Sequence, residues 1–415
     1  MEPTSTDSVP TDSVPTDSVP TNDLSARRDD EGWSASTKLG DMAADAGLAR
    51  IHMLAWRDLD DPEAGGSEIH AATIARIWAE AGIDVTMRSS RAEGHAAEVM
   101  RDGYRVIRKA GRYGVFPRTA ASGLVGRTGR RDGLVEIWNG MPFFSPVWAR
   151  CLRVVFLHHV HAEMWRMALP PRLARLGELV ENTLAPPFYR NSRIVTLSES
   201  SRTEIVDMLG LPGANIDVVP PGIEERFSPG GHRSSKPLVL AVGRLVPVKR
   251  FDVLIDVLAR LKTSHPDLEA VIVGEGYERS VLEARLAHHG AGGWLKLAGR
   301  VGDDDLVDLY RQAWVVASAS VREGWGMTIT EAGACATPSV ATNIAGHRDA
   351  IDDQVSGILA RHEAELEEGL DAVLSNAALR HRLGQGALRR SLSYTWTATA
   401  MGTLSALASQ AERHR

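Results

Sequence analysis

The residues best equipped for chemistry lie in SASVREGWGMTITEAGACATPSVATNIAG, residues 318–346 of the 415-residue chain. Two glutamates stand out, Glu323 and Glu331. The glycine loop Gly324-Trp325-Gly326 follows the first, and a helix-like run from Met327 to Ala336 surrounds the second. An ionised carboxylate accepts two hydrogen bonds from a vicinal diol, and loop amides hold hydroxyl or phosphate oxygens. The pair therefore suits a polyhydroxylated ligand, and a solvated surface loop is the competing reading of this stretch alone. In one continuous helix the two carboxylates would stand about 12 Å apart along the axis. The two glycines instead let the loop fold Glu323 back toward the helix start.

Other stretches add to this picture. Arg244 and Lys249 follow the apolar run LVLAV, residues 238–242, in the loop GRLVPVK. Two cations at a strand end suit a diphosphate, because charge-assisted hydrogen bonds contribute roughly 1.5–3 kcal/mol each. Their placement before a helix is otherwise unfavourable for positive charge. His158-His159-Val160-His161 follows the strand-like VVFL of residues 154–157. Its spacing is not that of a helical zinc pair, so no metal is expected, and three imidazoles at one strand end favour one facing a substrate. Gly65-Gly66 before a helix, with Ser67 as its N-cap, offers an anion or hydroxyl site, or a tight turn. Gly274-Glu275-Gly276 starts a dinucleotide fingerprint but has Arg279 in place of the third glycine, so a nicotinamide enzyme is rejected. Asp303-Asp304-Asp305 reads as the acidic start of a helix rather than a metal site.

The elements that position these residues alternate. Strand-like runs are expected at residues 51–55, 84–88, 134–138, 154–157, 194–197 and 216–219, then at 238–242, 268–273, 294–298, 314–317 and 339–341. Helical runs separate most of them, which predicts doubly wound parallel α/β sheets. Pro220-Pro221-Gly222 ends the first set as a hinge. The expected organisation is a disordered tail over 1–47 carrying three TDSVP repeats, a Rossmann-like domain over 48–222 and a linker over 223–237. A second Rossmann-like domain spans 238–390, and a C-terminal helix over 391–415 crosses back to the first domain.

Composition narrows the class. Forty-seven basic and 53 acidic residues leave a net charge of −6, which gives no footprint for nucleic acid. Cys151 and Cys335 match no metal or disulfide spacing, which fits a reducing cytoplasm. No apolar run of 18 residues predicts a transmembrane helix. Residues 101–131 carry nine basic side chains against Asp102 alone. A solvated face is the simpler account, and a patch for an anionic acceptor or a phospholipid surface is the functional one.

Taken in order, GRLxxxK, GxG, EGWGMTITE and TNIAG resemble the motifs of the retaining glycosyltransferases of family 4, with the GT-B fold of two Rossmann-like domains facing a cleft. In the first domain Gly65-Gly66-Ser67-Glu68 resembles that family's GG-x-E loop. The resemblance implies a cytoplasmic, metal-independent hexosyltransferase that uses a nucleoside-diphosphate sugar as donor substrate and needs no cofactor. The acceptor would be a hydroxyl of a polysaccharide or lipid-linked glycan, with peripheral contact at the inner membrane face. It further implies that Arg244 and Lys249 bind the diphosphate, that Glu331 holds the ribose and that Glu323 positions the sugar. Gly324, Trp325, Gly326 and Met327 would supply backbone contacts, Arg300 and Val301 would lie near the base, and Gly65 and Gly66 would face the donor. The family histidine maps onto His159, with His158 and His161 as alternatives. Arg250 stands where the family has a glycine, and TNIAG has one glycine where two are common. A sugar-nucleotide epimerase and a non-catalytic sugar-nucleotide-binding protein share the fold and remain alternatives.

Overall fold

The computed structural model describes residues 24–127 and 129–413. Among them, eight strands form a first sheet. These are β1 (Arg50–Leu54), β2 (Asp84–Ser90), β3 (Glu98–Arg101), β4 (Tyr104–Ala110), β5 (Gly133–Ile137), β6 (Leu152–Phe156), β7 (Arg193–Thr196) and β8 (Ile216–Val218). Their order is β3-β4-β2-β1-β5-β6-β7-β8, with only the edge pair β3–β4 antiparallel. A second, all-parallel sheet contains β9 (Leu238–Val242), β10 (Glu269–Val273), β11 (Leu295–Gly299), β12 (Val315–Ser318), β13 (Ser339–Thr342) and β14 (Gly357–Ala360). Its order is β11-β10-β9-β12-β13-β14. The strand order reverses beside β1 in one sheet and beside β9 in the other, and ligand crevices form at the carboxyl ends of strands at such points.

Central strands are apolar along their whole length because helices cover both faces. Val239, Leu240 and Ala241 of β9 are buried, and so are Val154, Val155 and Phe156 of β6. Each sheet has its own core. Phe251, Leu254, Leu258 and Leu261 of helix Phe251–Ser264 pack on the second, while Ile74, Ala75 and Trp78 of helix Gly66–Glu80 pack on the first.

Several expectations need correction. The tail reading over 1–47 fails at its distal end, where a helix runs from Leu24 to Asp45 and buries Leu39 and Ala43 in the first core. Leu39, Met42, Ala43 and Ala46 recur at helical spacing, a signal obscured by the polar repeats. The TDSVP repeats lie outside the described residues. Helix Trp396–Arg413 packs on the first core through Ala400, Leu404 and Leu407, and Trp78 donates its indole N–H to the Ala400 carbonyl at 3.1 Å. Strands β3, β4 and β14 lie where no strand is predicted.

The basic stretch is partly an internal network. Arg108 is buried and donates to Asp58 at 2.6 and 3.1 Å, and Arg101 pairs with Asp60 at 2.5 Å. Arg105 bonds Glu98 at 2.7 Å and Arg112 bonds Glu63 at 2.9 Å. Four of the nine cations thus meet acids of this chain, three of them through the loop RDLDDPE that follows β1. No helix of the described residues is long and apolar enough to cross a membrane.

Candidate active site

The carboxyl edges of the two sheets face each other, and the site residues lie on both. On the second domain, Lys249 ends the short turn Pro247–Lys249 after β9, and its ammonium forms an ion pair with Glu323. Ser320 donates to Glu323 Oε1 at 2.8 Å, and Gly346 N–H donates to the Glu323 carbonyl at 3.2 Å. Burial pushes the Glu323 carboxyl upward in pKa. The Lys249 charge, with His347 and Ser320 nearby, more than offsets this and holds it below the usual carboxylate value. Glu323 is therefore an anion at neutral pH.

Glu331 sits on helix Met327–Ala334 and accepts a hydrogen bond from the buried Tyr310 hydroxyl at 2.8 Å. Burial raises its pKa to about 7, with Glu224 adding to the shift and the Tyr310 bond opposing it. Two carboxylates in one motif thus differ in kind. One is fixed by an ammonium, and the other is poised near neutrality with one hydroxyl partner.

Across the cleft, the Gly65-Gly66 turn opens helix Gly66–Glu80. Its N-cap is Gly65 rather than Ser67, and Gly65 N–H donates to Glu68 Oε2 at 2.8 Å. Ser67 lies one residue inside and accepts from Asn139 at 3.4 Å. A side chain on Gly66 would come within 2.9 Å of Met327 Sδ, so the absence of one lets this turn approach the opposite domain. Arg244 reaches the Glu63 carbonyl at 3.5 Å, and Arg300 donates to the Pro62 carbonyl. Val301 is half-buried and packs against the apolar cluster that contains Val273 and Phe227.

His158, His159 and His161 follow β6. The His159 and His161 rings stack at 5.0 Å, and His161 lies 5.2 Å from Trp165. His158 instead turns inward against His70 at 4.8 Å. Glu181, fully buried, accepts from the His161 N–H at 3.0 Å and the Trp165 indole at 2.8 Å, which fixes the loop from below. His159 Nε2 and His161 Nδ1 are buried without a hydrogen-bond partner among the described residues. Burial, then the neighbouring His161 and His158, holds His159 neutral by lowering its pKa well below the imidazole value. A Cβ on Gly324 would meet the His158 carbonyl at 2.7 Å and His159 Nδ1 at 3.2 Å. The loop Gly324-Trp325-Gly326 therefore touches the histidine loop directly, while Trp325 itself is buried beside Leu197 and Ile329.

The structure thus gathers Arg244, Lys249, Glu323 and Gly324 of one edge against Gly65, Gly66 and His159 of the other. Gly274 and Gly276 serve a different end: side chains there would strike the carbonyls of Gly243 and Leu245 at 1.9 and 2.2 Å. They let β10 approach the Arg244 loop and leave no dinucleotide turn. Sequence reasoning missed Tyr310, Ser320 and His347. Ser318 Oγ lies 3.3 Å from His347 Nε2, and the Thr342 carbonyl lies 2.8 Å from its Nδ1. His347 directly follows TNIAG, which was its available signal, whereas the Tyr310 contact spans two elements and left none. Among the described residues, no group of three or more His, Cys, Asp or Glu side chains is placed to hold a metal ion.

Two family descriptions match consecutive stretches of this chain. Residues 64–227 match Glycosyltransferase Family 4, and residues 222–390 match Glycosyl transferases group 1. The chain belongs to the family 4 glycosyltransferases and has their two-domain GT-B architecture. A D-inositol 3-phosphate glycosyltransferase of Frankia alni is 33% identical over 242 residues, covering 52% of this chain and 58% of that protein. The alignment thus spans little more than half the relative's length. The corresponding protein of Acidothermus cellulolyticus is 28% identical over 389 residues, 82% and 85% of the two chains. Among solved structures, sucrose-phosphate synthase of Thermosynechococcus elongatus superposes with a TM-score of 0.75 at 18% identity, over 88% of this chain and all of that one. HepE of Anabaena, in complex with UDP and glucose, gives 0.68 at 18% identity, over 87% of this chain and all of that one.

Proposed function

We propose that this protein transfers a hexosyl group, with retention of configuration, from a nucleoside-diphosphate sugar to a hydroxyl acceptor. The observation that carries the reading is the pairing of Lys249 with Glu323 beside Arg244, directly opposite His159 and the Gly65-Gly66 turn. The UDP and glucose named in the HepE complex support a nucleotide-sugar donor for this fold.

In this reading the diphosphate lies between Arg244 and Lys249, and Glu331 accepts both ribose hydroxyls. As the sugar–phosphate bond breaks, negative charge grows on the leaving oxygen beside two fixed cations, which supply the stabilisation a divalent metal supplies elsewhere. Glu323 accepts from sugar hydroxyls and so orients the reacting carbon. Neutral His159 offers a hydrogen bond to the sugar or the leaving group without adding charge. Paired carboxylates of a glycosidase act as nucleophile and acid. Here the Glu323 carboxylate is already held in an ion pair with Lys249, which suits positioning rather than attack. The acceptor enters along the first domain, and a polysaccharide or lipid-linked glycan with peripheral membrane contact belongs to the same proposal.

A thermal-shift screen against UDP, GDP and ADP sugars tests it, since a ligand specific for the native state stabilises that state. The expected result is one donor series with a clear shift, followed by nucleotide release and a new glycoside when acceptor is added. No shift with any donor, or an isomerised sugar without transfer, would overturn it.

A further inference from the structure

The loop joining Ser320 to Trp325 alternates its attachments between the two domains. Val321 N–H donates to the Val248 carbonyl at 2.9 Å, and the Glu323 side chain pairs with Lys249, both within the second domain. The residues between and after them reach the other way. The Gly324 carbonyl accepts from Ser198 and Ser201 hydroxyls, each at 3.3 Å. Arg322 spends its whole guanidinium on the first domain: Nε donates to the Val160 carbonyl at 2.7 Å, Nη2 to Glu204 at 2.6 Å and Nη1 to Glu163 at 3.3 Å.

Two details give this arrangement a functional meaning. Val160 is the residue between His159 and His161, so Arg322 bonds the backbone that separates the two stacked imidazoles. Arg322 is also the covalent neighbour of Glu323. Its side chain is only 10% exposed and Glu204 only 25%, so the pair is shielded from solvent far more than an ordinary surface ion pair. A rigid fork satisfied by three oxygens fixes direction as well as distance.

We propose that Arg322 is a positioning residue that holds the sugar-facing carboxylate of one domain in register with the histidine loop of the other. The proposal rests on the transfer reading above for the roles of Glu323 and His159. Without the fork, the domains keep their separate folds and the nucleotide keeps its ligands, while the histidine loop loses the side-chain tie that holds it in register with Glu323, and only the Gly324 carbonyl bonds to Ser198 and Ser201 remain between this loop and the first domain.

The test uses the full chain with Arg322→Ala, Arg322→Lys and Glu204→Gln. Nucleotide affinity is measured by calorimetry with whichever of UDP, GDP and ADP stabilises the wild type most. Because a misplacement of about 1 Å can cost about 10²-fold, Arg322→Ala is expected to lower kcat by about that factor. Nucleotide affinity should stay near wild type, and Arg322→Lys, which keeps the charge and a single bond, should recover part of the rate. Glu204→Gln should lose rate in the same direction and carries the test if Arg322→Ala does not fold. Wild-type kcat in the alanine variant, or affinity falling in proportion to kcat, would overturn the proposal. If the wild type transfers sugar from no donor, the function reading fails, and small-angle scattering then decides. A larger radius of gyration in Arg322→Ala supports the clamp, and an unchanged radius refutes it.

Discussion

The two edges of the cleft solve the problem of binding in opposite ways. The second-domain edge is built from charges that answer one another: Lys249 with Glu323, and Glu331 with the Tyr310 hydroxyl. The first-domain edge is built from neutral rings, with His159 and His161 stacked and each retaining a nitrogen without a hydrogen-bond partner among the described residues. Fixed charges act where charge changes during reaction, because a preorganised ion need not reorient as the leaving group departs. Neutral, unpartnered donors act where hydroxyls must be recognised without repelling them. In the proposed reaction the second-domain edge would meet the leaving group and the hydroxyls that Glu323 and Glu331 accept from, and the first-domain edge would add uncharged hydrogen bonds.

The largest expected effect tests the charged edge. Lys249→Ala should lower kcat by about 10²–10³-fold, the range for loss of one oxyanion-stabilising donor. It also leaves Glu323 without its ammonium, so that carboxyl loses the largest of the influences that oppose burial. Steady-state kinetics with the selected donor measures this. On the neutral edge, His159→Ala removes one uncharged hydrogen bond, and a loss of about tenfold is expected from a contribution of about 1 kcal/mol. Equal losses at the two positions would break the comparison.

Legibility followed the same division. The placement of the charged edge was readable because GRLxxxK and EGWGMTITE are local, each holding its charged side chains within one strand-loop-helix unit. The fold was readable for a similar reason: apolar strands of three to five residues alternate with helices from β5 through β8 and again from β9 through β13. What was hidden depends on contacts between distant segments. Arg101, Arg108 and Arg112 looked like a surface patch because their acids, Asp58, Asp60 and Glu63, lie some 40 to 50 residues earlier. Tyr310 gave no sign of its bond to Glu331, and the buried face of helix Leu24–Asp45 was masked by the repeats before it. Which histidine faces the cleft likewise required the packing of His158 onto His70.

A subtler effect concerns pH. Under the proposed function, Glu331, raised to about 7 chiefly by burial, must be ionised to accept two ribose hydroxyls. Nucleotide affinity should therefore rise with pH until it levels above about 7, with a limiting slope of about tenfold per pH unit below that point. The free protein should show the opposite sign. A carboxyl with a raised folded-state pKa stabilises the fold at low pH, and that contribution is lost as pH climbs from the ordinary 4.5 through about 7. Calorimetric titrations from pH 5.5 to 8.5 on wild type and Glu331→Gln test this, and the variant should give a flat profile. His159, already neutral well below the usual imidazole value, should contribute no inflection over that range.

The smallest effect is expected at Arg250, which sharpens what counts as part of the charged edge. It follows Lys249 directly, yet its backbone is left-handed, at φ +49°, and its guanidinium turns to Asp252 at 3.0 Å. A left-handed conformation costs a non-glycine residue roughly 1–2 kcal/mol, and a half-exposed ion pair returns only about 0–1 kcal/mol. Arg250→Gly should thus leave stability unchanged or raise it by up to about 1 kcal/mol, because glycine's greater loss of freedom on folding offsets part of the relieved strain. If Arg244 and Lys249 alone hold the diphosphate, kcat and donor KM should stay near wild type in this variant. A rise in KM with an unchanged melting temperature would instead place Arg250 among the phosphate ligands and extend the charged edge by one residue.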